Sequence, residues 1–562
     1  MPFIPSRPRP EAAPSYTAWP HPDDLYDYLP FIAGPGPIAE IPSEKLGTRV
    51  AIVGAGAAGL VSAYELLRAG LTPVIFEATD RAGGRHYSKP FTDSGITTDV
   101  IAELGAMRFP TINKVLYHYF ERFNIERQPG FPDPGKVFTR ISYQNEVSDW
   151  QPPNPPPPPF DRISREFGEF LDPLTNKLAA AYNSRDLSNV QKVWQEFLDQ
   201  YASNSFFDAV AEGTGWGKED IAAFGALGTG QGGFGPLFHV GFMEMVRNIL
   251  CQFEENQDLV PHGISQLPES FLHAKVTTPC FEHETSVLEA GELHLNSPVK
   301  RIGLDEQGRP VLTYFNPVTG TDQQDTFQAA IVATTTRSMQ MIGLTLPTAA
   351  PAPKQVVDQD VKDSMRVLHL MNSSKMFIRI ATKFWKGSKT IPTDILTDAL
   401  PRAVYCLDYP YTDNGVVLIS YTWGDDSTKM LAIPPQERFK LLRRVIRDIS
   451  PEFAEHLEPL GGEILNIDWE TTPYYFGAFK LNYPGQDPAL QDAYYQFLTA
   501  NDESADTGLY LAGDSVSWFG GWSEGALHTG LNASAAVCQH VGGAFAVDSP
   551  LTQKADRYDY GK

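Results

Sequence analysis

Apolar positions between Arg49 and Glu77 change period twice. Arg49–Val53 is a short, continuous β-rich run, as expected of a strand buried on both faces. After a glycine-rich break, Leu60, Ala63, Tyr64 and Leu67 recur at helical spacing, and Gly70 is the expected C′ residue. Pro73–Phe76 is a second apolar run and stops on Glu77. The pattern is strand, helix, strand. Further strands are predicted at Ala329–Thr334, Ser373–Ile380, Gly415–Trp423 and Gly508–Asp514, with a last helix carrying Leu527, Leu531, Ala535 and Cys538 on its buried stripe. Helical periods fill the middle of the chain: Phe167, Phe170, Leu171 and Leu174, then Val190, Val193, Trp194 and Phe197. Gly225–Phe238 reads as a Gly-rich entrance loop.

The break after the first strand is Gly54-Ala55-Gly56-Ala57-Ala58-Gly59, a dinucleotide fingerprint in the right setting. Gly54 allows the tight turn. Gly56 lets a pyrophosphate approach the backbone, and Gly59 lets helix and strand pack closely. The helix N-terminus, from Ala57, offers N–H groups and partial positive charge to phosphates. Glu77 ends the second strand, where a carboxylate accepts from ribose hydroxyls. Glu77 alone does not separate NAD from FAD. A second glycine turn, Gly83-Gly84-Arg85, brings a guanidinium toward the same pyrophosphate.

The chain has 562 residues, too many for one core, so two or three domains are expected. Residues 1–46 are Pro-rich and expected to drape over the surface. Segments 47–110, 256–340 and 495–545 form a discontinuous nucleotide domain; 111–160 and 341–494 a substrate domain; 161–255 a helical insertion; 546–562 a tail. Gln151–Phe160, almost all proline, reads as a stiff spacer or a ligand for an aromatic groove. The net charge of −23 disfavours nucleic acid and anionic membranes as partners. Four scattered cysteines make no metal or disulfide pattern and suggest a reducing compartment. No apolar leader or span stands out, so a cytoplasmic protein is expected. No metal cluster is expected.

Several single residues have two readings. Arg108, in Gly105-Ala106-Met107-Arg108-Phe109-Pro110, is either a buried Arg paired with Glu103 or another acid, or a carboxylate clamp. Lys375 opens a strand, where a lysine is ordinarily solvated. Tyr421 and Trp423 share a strand face as half-buried sheet aromatics or as pocket walls. Leu237, Phe238 and Phe253 read equally as core. Asp492 reads as a solvated loop acid or as the partner of a cationic side chain.

The fingerprint, the Gly84-Arg85 turn and Gly105–Pro110 together resemble the flavin amine oxidases, in the branch of L-amino-acid oxidases and tryptophan 2-monooxygenases. Asp24–Tyr28, Phe131–Gly135, Gly477–Gly485 and Asp506–Gly513 extend the likeness over nearly the whole chain. The resemblance implies an α/β fold: a Rossmann-like FAD-binding domain of the GR2 type, a mixed-sheet substrate-binding domain and a helical insertion. It implies non-covalent FAD, held by Gly54, Gly56, Ala57, Gly59, Glu77, Gly84, Arg85, Met107, Val299, Trp469, Asp514 and Trp522. Arg108 and Tyr421 would hold an α-carboxylate and the Gly521 carbonyl an amine. Lys375 would hold a water near flavin N5, and Trp522 would wall the site. Trp423, Leu237 and Phe253 would meet a large aromatic or apolar side chain.

The implied reaction is hydride removal from Cα of an L-amino acid, with O2 as oxidant. Its products are a 2-oxo acid, ammonia and hydrogen peroxide, or the amide. A homodimer is also implied. The open alternatives are a basic amino acid, favoured by Asp492; an amine or polyamine oxidase; and a flavin-binding protein without turnover.

Overall fold

A computed structural model describes residues 24–93, 95–184, 186–230, 232–251, 253–254, 256–346, 355–553 and 558. Five parallel strands make the first sheet, in the order Glu292–His294, Thr72–Phe76, Arg49–Val53, Ala329–Val332, Leu509–Leu511. Four of these strands are almost wholly apolar, as a doubly covered parallel sheet requires. Helix Ala57–Arg68 and helix Ser523–His540 pack on it and on each other. The latter is buried on nearly every side rather than along one stripe, because it lies between the sheet, helix Ala57–Arg68 and helix Lys114–Arg122. A three-stranded antiparallel unit, Val299–Leu304, Pro310–Asn316 and Thr321–Thr326, is inserted between two strands of this sheet.

The second sheet has seven strands, in the order Ile464–Asp468, Ser373–Ile380, Gly415–Trp423, Ala403–Leu407, Asp394–Thr397, Thr139–Tyr143, Glu146–Trp150. It is mixed: Asp394–Thr397 runs parallel to Thr139–Tyr143 and every other pair is antiparallel. Register sets Lys375 opposite Tyr421 and Ser373 opposite Trp423. All eight residues of Ser373–Ile380 are buried, so Lys375 is not on a solvated face. Between the sheets in sequence lie helices Phe160–Asn183, Leu187–Tyr201, Phe206–Thr214, Lys218–Leu227 and Phe242–Leu250.

Three local expectations change. The proline run does not extend. It bends in two turns, closed by Asn154 N–H to the Gln151 carbonyl and Phe160 N–H to the Pro157 carbonyl. Asn154 is the only residue within Pro152–Pro159 that keeps a backbone donor. Gly225–Leu227 ends a helix, and the N–H groups of Gly228, Gly230, Gly232 and Phe234 donate back to the carbonyls of Phe224 and Leu227 at its end. The N-terminal segment is only partly a surface drape from Asp24 onward: 33–37 and 43–45 are exposed, while Asp24, Tyr28, Phe31 and Ile32 are anchored in the core. Asp24 and Tyr28 are buried, with Tyr28 donating to Asn532 Oδ1 at 2.8 Å and Asp24 taking Tyr494 Oη–H at 2.6 Å. Residues 1–23 lie outside the described residues. Among the described residues no helix is long and apolar enough to cross a membrane, and no cluster of His, Cys, Asp and Glu suits a metal.

Candidate active site

A cavity of about 540 Å3 joins the edge of the first sheet to that of the second. The turn after Arg49–Val53 forms one end. Gly54 sits at φ +100°, where other residues are strained, and its N–H donates to the Phe76 carbonyl. A Cβ on Gly59 would stand 2.0 Å from the Gly54 carbonyl oxygen, so this glycine serves helix–strand contact. A Cβ on Gly56 would meet no protein atom within 4 Å, yet Gly56 and Ala57 line the cavity. That opening, at a helix start with no side-chain cap, suits an anionic ligand.

Glu77 stands at the same end. Its carboxylate accepts from Ala55 N–H at 2.8 Å and from Thr79 N–H at 2.9 Å, which fixes it and leaves further lone pairs toward the cavity. Gly84 and Val299 line the cavity nearby. Arg85 and Asp514, expected on different parts of a dinucleotide, are joined in one ion pair on the cavity wall; Arg85 also donates to the Ala478 carbonyl at 2.7 Å. The residues present therefore fit a dinucleotide: an uncapped helix start, a fixed acid, a guanidinium and an open glycine around one cavity.

The other end holds Met107, Arg108, Lys375, Tyr421, Gly521 and Trp522. Trp469 joins them and donates from Nε1 to the Leu104 carbonyl at 3.1 Å. Lys375 Nζ donates to the carbonyls of Glu103, at 3.2 Å, and Gly105, and lies 5.0 Å above the Tyr421 ring. Burial pulls its pKa down to about 7, against the pull of Glu103, while Arg108 lowers it further. Glu103 is pushed up to about 7 by burial, opposed by bonds from Ser88 and the Ile264 N–H.

Arg108 is buried, and its acid is Glu254, not Glu103. The contact is 3.4 Å, longer than the 2.7–2.9 Å of a good charge-assisted bond. Burial works against its charge, but Glu254 and then Tyr421 hold its pKa above the ordinary value. Trp522 donates from Nε1 to Asn248 Oδ1 at 2.7 Å, and Phe253 packs against its ring.

The remaining expected residues lie elsewhere. Leu237 is fully buried in the helical core and does not line the cavity. Phe253 stands one layer back, behind Trp522. Trp423 meets Tyr421 edge-on at 5.1 Å and lines a smaller, neighbouring cavity of about 50 Å3. Asp492 is half-buried on helix Asp487–Tyr494, away from both cavities.

Sequence reading missed Glu254 and His86. Glu254 is an acid directly after an apolar run, a signal of sorts. His86 follows Arg85, lines the cavity, and sets Nε2 2.7 Å from Ser523 Oγ at the start of helix Ser523–His540. Burial, then Arg85, pushes its pKa down to about 4, so it is neutral at pH 7.

Residues 57–538 match the family of flavin-containing amine oxidoreductases. Tryptophan 2-monooxygenase of Pseudomonas savastanoi is 38% identical over 94% of this chain and 97% of its own. That of Pantoea agglomerans pv. gypsophilae is 38% identical over 98% of this chain and all of its own. Among solved structures, putrescine oxidase bound to putrescine superposes with a TM-score of 0.65 over 87% of this chain and 98% of that one; at 15% identity it speaks for the fold alone. The chain belongs to the flavin-containing amine oxidoreductases and is a flavin-dependent oxidoreductase.

Proposed function

We propose that the chain oxidises an L-amino acid with a large aromatic or apolar side chain, tryptophan or phenylalanine foremost, using non-covalent FAD. When bound, the flavin would supply hydride acceptance from the substrate Cα and electron return to O2. The chain's residues bind and aim. Arg108 and Tyr421 would take the α-carboxylate, the guanidinium through its fork and the phenol through a hydrogen bond. The Gly521 carbonyl would accept from the amine, so that Cα–H is held by two fixed contacts. Such placement is proximity catalysis and needs no acid–base pair for the hydride step. Lys375, titrating near pH 7, would hold a water and supply positive charge where O2 reacts.

One observation carries this reading: Arg108, Tyr421 and Lys375 face a single cavity whose other end is built for a dinucleotide. A guanidinium held in a dry wall gives a carboxylate-bearing substrate a specific advantage over a plain amine. The aromatic wall of Trp469, Trp522 and Phe479, with the names of the near-full-length relatives, supports an aromatic side chain. Non-covalent attachment is supported by the cysteines, none of which lines the cavity. The basic side chain finds no support, since Asp492 is off the cavity. Release of the imine gives the 2-oxo acid; retention with peroxide gives the amide.

The test is anaerobic mixing of the flavoprotein with twenty L-amino acids and with simple amines, following loss of the yellow colour. Tryptophan or phenylalanine should bleach it fastest. Arg108→Ala should cost roughly 2–4 kcal/mol in kcat/KM on amino acids and nothing on amines. Equal losses on both, or bleaching by amines alone, would overturn the reading.

A further inference from the structure

Helix Phe242–Leu250 turns one face toward the segment that carries Gly521 and Trp522. Glu244, Arg247 and Asn248 occupy positions i, i+3 and i+4, so they share that face, and all three are buried. Asn248 donates from Nδ2 to the Glu244 carbonyl of its own helix at 2.9 Å. That bond orients the amide and turns Oδ1 toward Trp522, whose Nε1–H reaches it at 2.7 Å. The Arg247 guanidinium lies 4.8 Å over the Trp518 ring and pairs with Asp487 at 3.0 Å. Glu244 holds Lys480 Nζ at 3.0 Å, and Lys480 fills the space beside Gly520: a Cβ there would be 2.4 Å from Lys480 Cε and 2.3 Å from its carbonyl oxygen. Three side chains of one helix therefore hold residues 518, 520 and 522, directly or through Lys480. Between them Gly521, at φ +84°, lines the cavity.

We propose that Asn248 is a positioning residue for the substrate amine, acting through Trp522. It fixes the plane of the Trp522 indole and, through the adjoining peptide, the direction of the Gly521 carbonyl; the Glu244–Lys480 and Arg247–Asp487 pairs keep the turn from shifting. Neither Asn248 nor Glu244 touches the cavity. Their effect reaches the substrate by holding a backbone carbonyl whose own conformation, on a glycine, is soft. This rests on the reading that the Gly521 carbonyl receives the amine.

The experiment compares wild type, N248L, W522F and N248L/W522F as holoenzymes. It measures anaerobic flavin reduction by tryptophan, and binding of indole-3-propionate, which is tryptophan without its amine. N248L should reduce about tenfold more slowly, the scale of one lost hydrogen bond, while indole-3-propionate binds within about twofold of wild type. W522F should lose a similar factor, and the double variant should be no slower than W522F, as expected when one residue acts through the other. A wild-type rate in N248L, multiplied losses in the double variant, or a parallel fall in indole-3-propionate affinity would overturn the proposal. Should N248L not accumulate as holoenzyme, N248S decides: a wild-type reduction rate overturns the proposal, and a tenfold loss with indole-3-propionate binding within about twofold supports it. Wild type separates the two readings. If no L-amino acid bleaches it, the functional reading falls and this inference with it; if it bleaches beside an unaffected N248L, this inference falls alone.

Discussion

Two lysines, Lys375 and Lys480, are equally out of reach of solvent and do opposite things. Lys480 meets Glu244 at 3.0 Å, inside a group that also holds Arg247 and Asp487. Lys375 hydrogen-bonds two backbone carbonyls and faces a cavity. Burial lowers the pKa of both; Glu244, in direct contact, opposes it in Lys480, and Glu103 opposes it in Lys375. The contrast separates a charge whose partner is built in from one whose strongest partner has yet to arrive. A buried charge of the first kind holds parts of the fold together; one of the second kind is a site.

The largest expected effect tests the first kind. Lys480→Met leaves Glu244 and its neighbours with one cation too few in a dry core, and should cost roughly 3–5 kcal/mol of stability, read by chemical unfolding. A neutral result would break the comparison. Lys375→Met should leave flavin content and stability near wild type but slow reoxidation by O2 by about 10²–10³, the scale of one lost stabilising group, in stopped flow. With its pKa at about 7, the ammonium is charged below that pH and neutral above. Reoxidation should therefore slow as pH rises through 7, and the variant should lose that dependence.

A third buried cation marks the paired extreme. His528 lies between Asp24 Oδ2 at 3.0 Å and Glu524 Oε1 at 3.3 Å. Burial opposes its charge, but these two acids raise its pKa to about 9. Its folded pKa exceeds the unfolded one, so the stability it contributes is complete below about pH 6.5 and is lost as pH rises through 9. The loss should be at most about 3.4 kcal/mol, seen as a falling Tm that flattens in His528→Gln. The smallest effect carries the same contrast to the backbone. Gly56→Ala meets only the cavity, so it should keep the unfolding midpoint and weaken FAD about tenfold, or about 1.4 kcal/mol. Gly59→Ala meets the Gly54 carbonyl and should lower the midpoint itself.

What could be read in the sequence was whatever is local. The strand–glycine–helix unit at Arg49–Arg68 carries its reason for folding within a few residues, and so does Gly83-Gly84-Arg85. Arg108, Lys375 and Tyr421 stood out through motifs of similar length. Partners that meet across long stretches could not be paired from the sequence. Glu254 reaches Arg108 from 146 residues away, and Asn248 reaches Trp522 from 274. Leu237 and Phe253 have the chemistry of a pocket wall, but Leu237 lies in the helical core and Phe253 behind Trp522, a distinction that depends on tertiary packing. Asp24 lies in a stretch that carries the family likeness, but nothing near it in sequence shows that it pairs with His528.

The first sheet closes only when Leu509–Leu511 adds to Ala329–Val332, and helix Ser523–His540 then lies against Ala57–Arg68. On a ribosome Arg49–Val53 and Thr72–Phe76 gain their outer neighbours, Ala329–Val332 and Glu292–His294, only after more than two hundred further residues of translation, and the last strand comes more than four hundred residues after them. A chain that stopped before that late segment would lack Asp514, Gly521 and Trp522, and with them one wall of the coenzyme cavity, however intact its glycine turn.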